Sequence, residues 1–260
     1  MSFIKSLIIF IITTNIYAQV PVDTPGIEFG DDDLNIGGDI FSDFSEDLEA
    51  SQIYEDERYY RFGRFFTFNI GIGHTTFGGN RGKLYDTQPP TYHMSLYYFF
   101  DFRTSFGMGI EFSRHFYYIG EPTLGFPNGN GVGFVDVNLL RPFFSYRYHI
   151  DTSDLGTALT YSNPYFAIRF EYWSLTEKFR DQRGLDDESG GGLGIGLGGG
   201  FEFPIKLRES YINVEFLWHT VNFEDKYDTR YQAVNPNQED VSTDLTGDVY
   251  SVVVAYVFNW

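Results

Sequence analysis

From Arg64 to the end of the chain, large apolar residues recur at every second position, the period of a β-strand. The first run, Phe65 to Thr76, sends Phe66, Phe68, Ile70 and Ile72 to one face and Thr67, Asn69, Gly71, Gly73 and Thr75 to the other. A second, Thr91 to Phe102, alternates Tyr92, Met94, Leu96, Tyr98 and Phe100 with His93, Ser95, Tyr97 and Asp101, and a tight turn at Arg103–Thr104 reverses the chain. The third sets Phe106, Met108, Ile110, Phe112 and Phe116 against Gly107, Gly109, Glu111, Ser113 and His115. The fourth, Gly131 to Tyr148, opens with Val135 and Val137 on the apolar face and Asp136 and Asn138 opposite. Its phase slips near Leu139–Leu140, after which Arg141, Ser145 and Arg147 take the polar face. Pro142 has no N–H for the ladder, so a bulge is expected there.

Four more runs follow. Phe166, Ile168, Phe170 and Tyr172 alternate with Ala167, Arg169, Glu171 and Trp173. Leu193, Ile195, Leu197, Phe201 and Phe203 alternate with Gly194, Gly196, Gly198, Gly200 and Glu202. Ile212, Val214, Phe216 and Trp218 alternate with Tyr211, Asn213, Glu215 and His219. The last carries Val252, Val254, Tyr256, Phe258 and Trp260 on one face. Each run has the roughly 9–11 residues a tilted strand needs to cross hydrocarbon. Connections at Arg103–Thr104 and Ile205–Glu209 are short; those at Phe77–Pro90, Gly120–Asn130, Arg180–Gly191 and Glu224–Gly247 are long and polar. Only Asp151–Asn163 breaks that alternation of short periplasmic turns and long surface loops.

In a soluble sandwich or lipocalin-like barrel the charges would face out and the bulky residues in. Here the charges share a face with the glycines. The pattern therefore predicts an all-β fold: a closed antiparallel transmembrane β-barrel of eight strands over residues 61–260, apolar side outward. An even strand count returns both termini to the periplasm.

Composition agrees: 20% of the residues are aromatic, more than a soluble β-domain tolerates on its strands. Residues 1–18 read as a signal peptide, with Lys5, the apolar stretch Ser6–Ile12 and Ala18 before the expected cut at Gln19. Residues 19–60 form an acidic periplasmic arm with thirteen acids and one base, Arg58, yet with ten large apolar residues from Ile27 to Tyr54. Asp31, Asp32, Asp33 and Asn35 hint at calcium, but Ile36 and Ser42 stand where an EF-hand loop needs Gly and Glu. Nothing here is the basic footprint of a nucleic-acid binder.

The terminal alternation Tyr256, Phe258, Trp260 is similar to the recognition strand that barrels present to the insertion machinery. With the patterned strands and signal peptide, residues 61–260 resemble the small eight-stranded outer-membrane barrel proteins, the group of OmpX, OmpW and the OmpA barrel. The resemblance is architectural and transfers no functional residue. It implies a Gram-negative outer membrane, with membrane lipid and the insertion machinery as partners.

The lumen of so small a barrel is filled by side chains. It is expected to hold Asp101, Glu111, Asp136, Glu171, Glu202 and Glu215 against Arg141, Arg147 and Arg169, paired across the barrel. The glycine column at 194–200 leaves room for Tyr97, Tyr117 and Trp173 or for a small cavity. His93 and His115 are expected as cross-strand neighbours near the outer rim, with His219 at similar height and Ser95, Ser113 and Glu111 nearby. A His beside a Ser and a carboxylate is the minimal catalytic arrangement, which keeps a lipid-A-modifying enzyme open as an alternative, as the lumen keeps a small-solute channel. The leading expectation is a non-enzymatic structural or interaction barrel without cofactor or metal. Its arm would clasp neighbouring protomers into a homo-oligomeric ring that encloses lipid.

Overall fold

The computed structural model describes residues 63–127, 131–152, 161–182, 184–206, 209–235 and 244–260. The signal peptide, the arm and its hint of calcium lie outside the described residues. Eight antiparallel strands close into a barrel: β1 (Phe66–Phe77), β2 (Asp86–Phe99), β3 (Thr104–Ile119), β4 (Gly133–His149), β5 (Asn163–Phe179), β6 (Glu188–Lys206), β7 (Ser210–Phe223) and β8 (Val249–Asn259). β8 returns to β1 with Phe68 opposite Phe258 and Phe77 opposite Val249. No described helix is long and apolar enough to cross a membrane. Closure leaves the barrel without a free edge along the apolar belt, which is the condition for strands to exist in lipid.

The apolar face points outward as expected. Ile70, Leu96, Met108, Phe144, Phe170, Leu193, Phe216 and Val254 are all exposed and together form a belt. No soluble protein presents so large a continuous apolar surface to water, so the belt is the lipid-facing wall.

Several boundaries differ from the sequence expectation. β2 starts at Asp86, and a short helix, α1 (Gly79–Leu84), occupies part of the expected first loop. The reversal between β2 and β3 falls at residues 100–103, because Thr104 already belongs to β3. Asp101 sits in that turn and is exposed, accepting the backbone N–H groups of Arg103 and Thr104, each at 2.6 Å. It is a turn cap and not a lumen charge.

The expected bulge at Pro142 is absent. Ile110 pairs with Pro142 in unbroken register, and the β4–β5 ladder skips Arg141 and Pro142 without shifting. The bulges fall elsewhere, between Gln88 and Tyr92, where Pro89 and Pro90 cannot donate, and between Pro204 and Lys206.

Nor does β4 slip in phase. Val135, Val137 and Leu139 are buried inside the barrel, and Asp136 and Asn138 lie on the outer wall. Asp136 therefore leaves the lumen list; it pairs with Arg180 on the outside, with 29% and 52% of their side chains exposed. What changes at Leu139–Leu140 is the surroundings of the strand. Below it lipid lies outside and charge inside. Above it the wall carries Arg114, Asn138, Thr176 and Lys178 outward, while Val137, Leu139 and Leu175 pack within. The barrel projects beyond the membrane there and behaves as a water-soluble β-structure.

That projecting part contains the main apolar core, with Tyr117, Val135, Trp173, Phe179 and Phe223 joined by Tyr231 and Leu245 from the β7–β8 connection. Thr123 bridges Ala233, and Leu124 donates to the Gln232 carbonyl at 2.9 Å, so two surface loops knit across the mouth. Arg81 of α1 lies over the Phe223 ring at 4.1 Å and holds Asp225 at 2.6 Å. Burial opposes its charge, but Tyr85 and Asp225 outweigh that and raise the guanidinium above its ordinary value.

Candidate functional site: a charge column beneath the cap

Seven of the nine expected lumen charges converge: Glu111, Arg141, Arg147, Arg169, Glu171, Glu202 and Glu215 are all buried. The sequence reading missed an eighth, Arg64. It stands just before β1, where simple alternation would aim it outward with Phe66. Because no strand holds it there, it turns beneath the barrel to pair with Glu202. Removing Asp101 and Asp136 and adding Arg64 leaves four carboxylates and four guanidinium groups in the described lumen below the cap. The expected excess of acid is gone, as burial requires.

The charges alternate up the axis. Arg64 meets Glu202, which Arg147 approaches at 3.7 Å. Arg147 reaches Glu215 at 2.6 Å, and Arg169 bridges Glu215 to Glu111, the latter at 2.5 Å. Arg141 closes on the second oxygen of Glu111. Each guanidinium also lies over a ring: Arg64 on Phe99 at 4.1 Å, Arg147 on Tyr97 at 3.8 Å, Arg169 on Phe143 at 4.0 Å and Arg141 on Trp173 at 4.2 Å. The column therefore presents plates and ion pairs across the bore.

Glycine on β6 makes this fit. A Cβ at Gly196 would stand 2.8 Å from His219 Nδ1 and 3.0 Å from Glu171 Oε1, and one at Gly194 would stand 2.8 Å from Trp173 Nε1. Of the three rings expected against this column, only Trp173 occupies it. Tyr97 covers Gly107 on β3, and Tyr165 takes the place beside Gly200.

The histidines do not meet as expected. His93 pairs with Glu111 and His115 with Thr87, because the turn is longer and the Pro89–Pro90 bulge shifts the register. His93 bonds Glu111 at 2.8 Å and Ser95 at 2.9 Å; His219 bonds Glu171 at 2.9 Å and Ser251 at 2.7 Å. Both sets copy a nucleophile–base–carboxylate chain, and both are sealed, with Ser95 at 2% and Ser251 at 1% exposure. Their carboxylates are shared with the column: Arg141 and Arg169 hold Glu111, and Trp173 donates to Glu171 at 2.9 Å. Among the described residues His115 bonds Ser113 alone, at 3.1 Å, and packs edge-on against Phe77. No group of three His, Cys, Asp or Glu side chains among the described residues is placed to hold a metal.

Fold and lumen together define a closed, side-chain-filled β-barrel with an apolar lipid-facing belt. No protein-family model and no curated protein sequence matches the chain. Among solved structures it is similar to Neisserial surface protein A, with 13% identity, a TM-score of 0.48, and coverage of 75% of this chain and 97% of that one. It is also similar to Ail, the attachment invasion locus protein of Yersinia pestis, at 9% identity and a TM-score of 0.43, covering 76% and 99%. The outer-membrane protein OprG from Pseudomonas aeruginosa aligns at 13% identity and a TM-score of 0.41, covering 78% and 99%.

Proposed function

We propose that this chain is a sealed, non-enzymatic barrel of the Gram-negative outer membrane that carries a rigid, knitted head above the membrane for interaction. The supporting observation is the alternating charge column beneath an apolar cap: it fills the bore from Arg64 to Arg141, and the loops cover what lies above. Two short turns at one end, against the cap-forming connections at the other, support periplasmic termini. A hydrolase reading has to reach Ser95 or Ser251 through that packing, and a channel reading has to displace the column. In a planar bilayer, purified protein is expected to give no steady conductance steps. Regular steps carried by the wild type would replace this reading with the channel.

The arm extends the proposal. Its large apolar residues have no room in a filled lumen and need a surface, and the periplasmic rim of a neighbouring copy supplies one. Arms passed head to tail close into a homo-oligomeric ring when the rotation permits, and a gap lined by apolar belts holds lipid. Truncation of residues 19–60 is expected to leave a folded barrel but reduce the particle in mild detergent to a monomer and release that lipid. Equal particle masses for the truncated and full chains would remove the clasp.

A further inference from the structure

The barrel wall forks at its outer end between β7 and β8. The β7–β8 ladder stops at His219 opposite Val249, whereas β6 accompanies β7 four residues farther, to Phe223 opposite Gly192. The chain entering β8 leans the other way, toward β1 and α1. Its Asp248 carbonyl accepts from Gly78 at 2.7 Å, and its Thr246 carbonyl accepts from Asn80 at 2.9 Å and Arg81 at 3.2 Å. A bond from Leu245 N–H to the Lys226 carbonyl, 2.8 Å, closes the fork above. The result is a cleft of about 340 Å³ lined by Gly78, Thr220, Lys226, Thr246, Asp248 and Tyr250 among others. Along its β7 wall, alternate peptide groups that would have met β8 have no strand beside them among the described residues.

The depth of this cleft selects its occupant. Trp218 and Tyr250 pair directly beneath it and face outward, 36% and 40% exposed, at the top of the apolar belt. Aromatic girdles mark the boundary of the hydrocarbon, so the cleft opens at the height of lipid headgroups. Its chemistry narrows the choice further. Lys226 donates to Asn222 Oδ1 at 2.7 Å, which holds the ammonium in place with donor capacity left over, and no carboxylate lies within ion-pair distance among the described residues. Asp248 and the Thr246 hydroxyl, which donates to Asp244 and keeps its lone pairs, offer acceptors at the opposite wall. An ammonium with peptide donors suits a phosphate, and carboxylate and hydroxyl acceptors suit sugar hydroxyls.

We propose that this cleft binds the phosphorylated sugar headgroup of an outer-leaflet glycolipid, with Lys226 on the phosphate. The proposal rests on the outer-membrane reading but not on the sealed lumen, because the cleft lies in the outer wall and conductance does not report on it. The test titrates detergent-solubilised full-length protein with lipopolysaccharide, with the same lipid after phosphatase treatment, and with phosphatidylglycerol, following tryptophan fluorescence. Lys226→Gln is expected to weaken lipopolysaccharide binding about tenfold or more, the size of one lost charge-assisted contact. Phosphatase treatment should cost the wild type a similar factor and leave the variant nearly unchanged. Arg114→Gln, an exposed cation above the belt on β3, should stay within about twofold. Should Lys226→Gln lose heat-modifiable migration, the exposed Asn222→Ala, which frees the ammonium, takes its place in the same titration. Equal losses in the Lys226 and Arg114 variants, equal binding of phosphatidylglycerol, or no loss on removing phosphate would each overturn the site.

Discussion

Arg169→Met is expected to lower the unfolding free energy of the barrel by about 3–5 kcal/mol, the range for breaking a buried ion pair from one side. Arg169 is fully buried and joins Glu215 to Glu111 at the middle of the column. Methionine fills much of its volume and still packs on Phe143, so the loss reports the one negative charge left in excess once Glu215 keeps only Arg147 and Glu111 only Arg141 among the guanidinium groups. Urea unfolding in liposomes reads it directly. Adding Glu215→Gln alone should recover much of the loss, because it returns the column to three carboxylates against three guanidinium groups and a neutral amide costs less to bury than uncompensated charge. The exposed pair on the outer wall is the control: Arg180→Met should change stability by no more than about 1 kcal/mol. A loss of that small size for Arg169→Met would show that water reaches the column, and the sealed lumen would fall with it.

Deleting Phe258–Trp260 is expected to reduce the assembled, heat-modifiable protein about tenfold or more, since each backbone group left unsatisfied at the membrane costs several kcal/mol. These residues are the lower end of the seam. Phe258 stands opposite Phe68, and the Trp260 carbonyl accepts from Phe65 at 3.3 Å and Phe66 at 3.1 Å. Asn259 donates to the Glu209 carbonyl at 2.9 Å, which ties the same strand to the β6–β7 turn. The deletion opens the barrel where Arg64 enters it. Trp260→Phe keeps the backbone and the aromatic ring and should assemble normally. Undiminished assembly of the deletion, measured in the outer-membrane fraction, would mean that the seam closes without its last turn of pairing.

The amino-acid sequence by itself determined the alternation, and with it the strand count, the barrel and the faces wherever the wall meets lipid. Lipid against one side of a thin wall and packed side chains against the other impose a period of two on every crossing strand, and that period is local information. Glu111, Arg141, Arg147, Arg169, Glu171, Glu202 and Glu215 could be named as lumen charges for the same reason. Tertiary structure decided everything that depends on where a strand stands relative to the membrane and to its neighbours. The same alternation means charge inside at Arg141 and charge outside at Asp136, because β4 leaves the lipid between them and the preferred polarity of the two faces reverses. Polarity alone resembles a slip in phase, while the hydrogen-bonded register runs straight through. Which carboxylate meets which guanidinium follows from register, and the longer turn at residues 100–103 sets register between β2 and β3, opposing His93 to Glu111 and separating it from His115. Arg64 illustrates the same limit at a strand end. Outside the ladder no alternation governs a side chain, and a buried carboxylate on β6 draws the guanidinium under the barrel to complete a column that no single strand encodes.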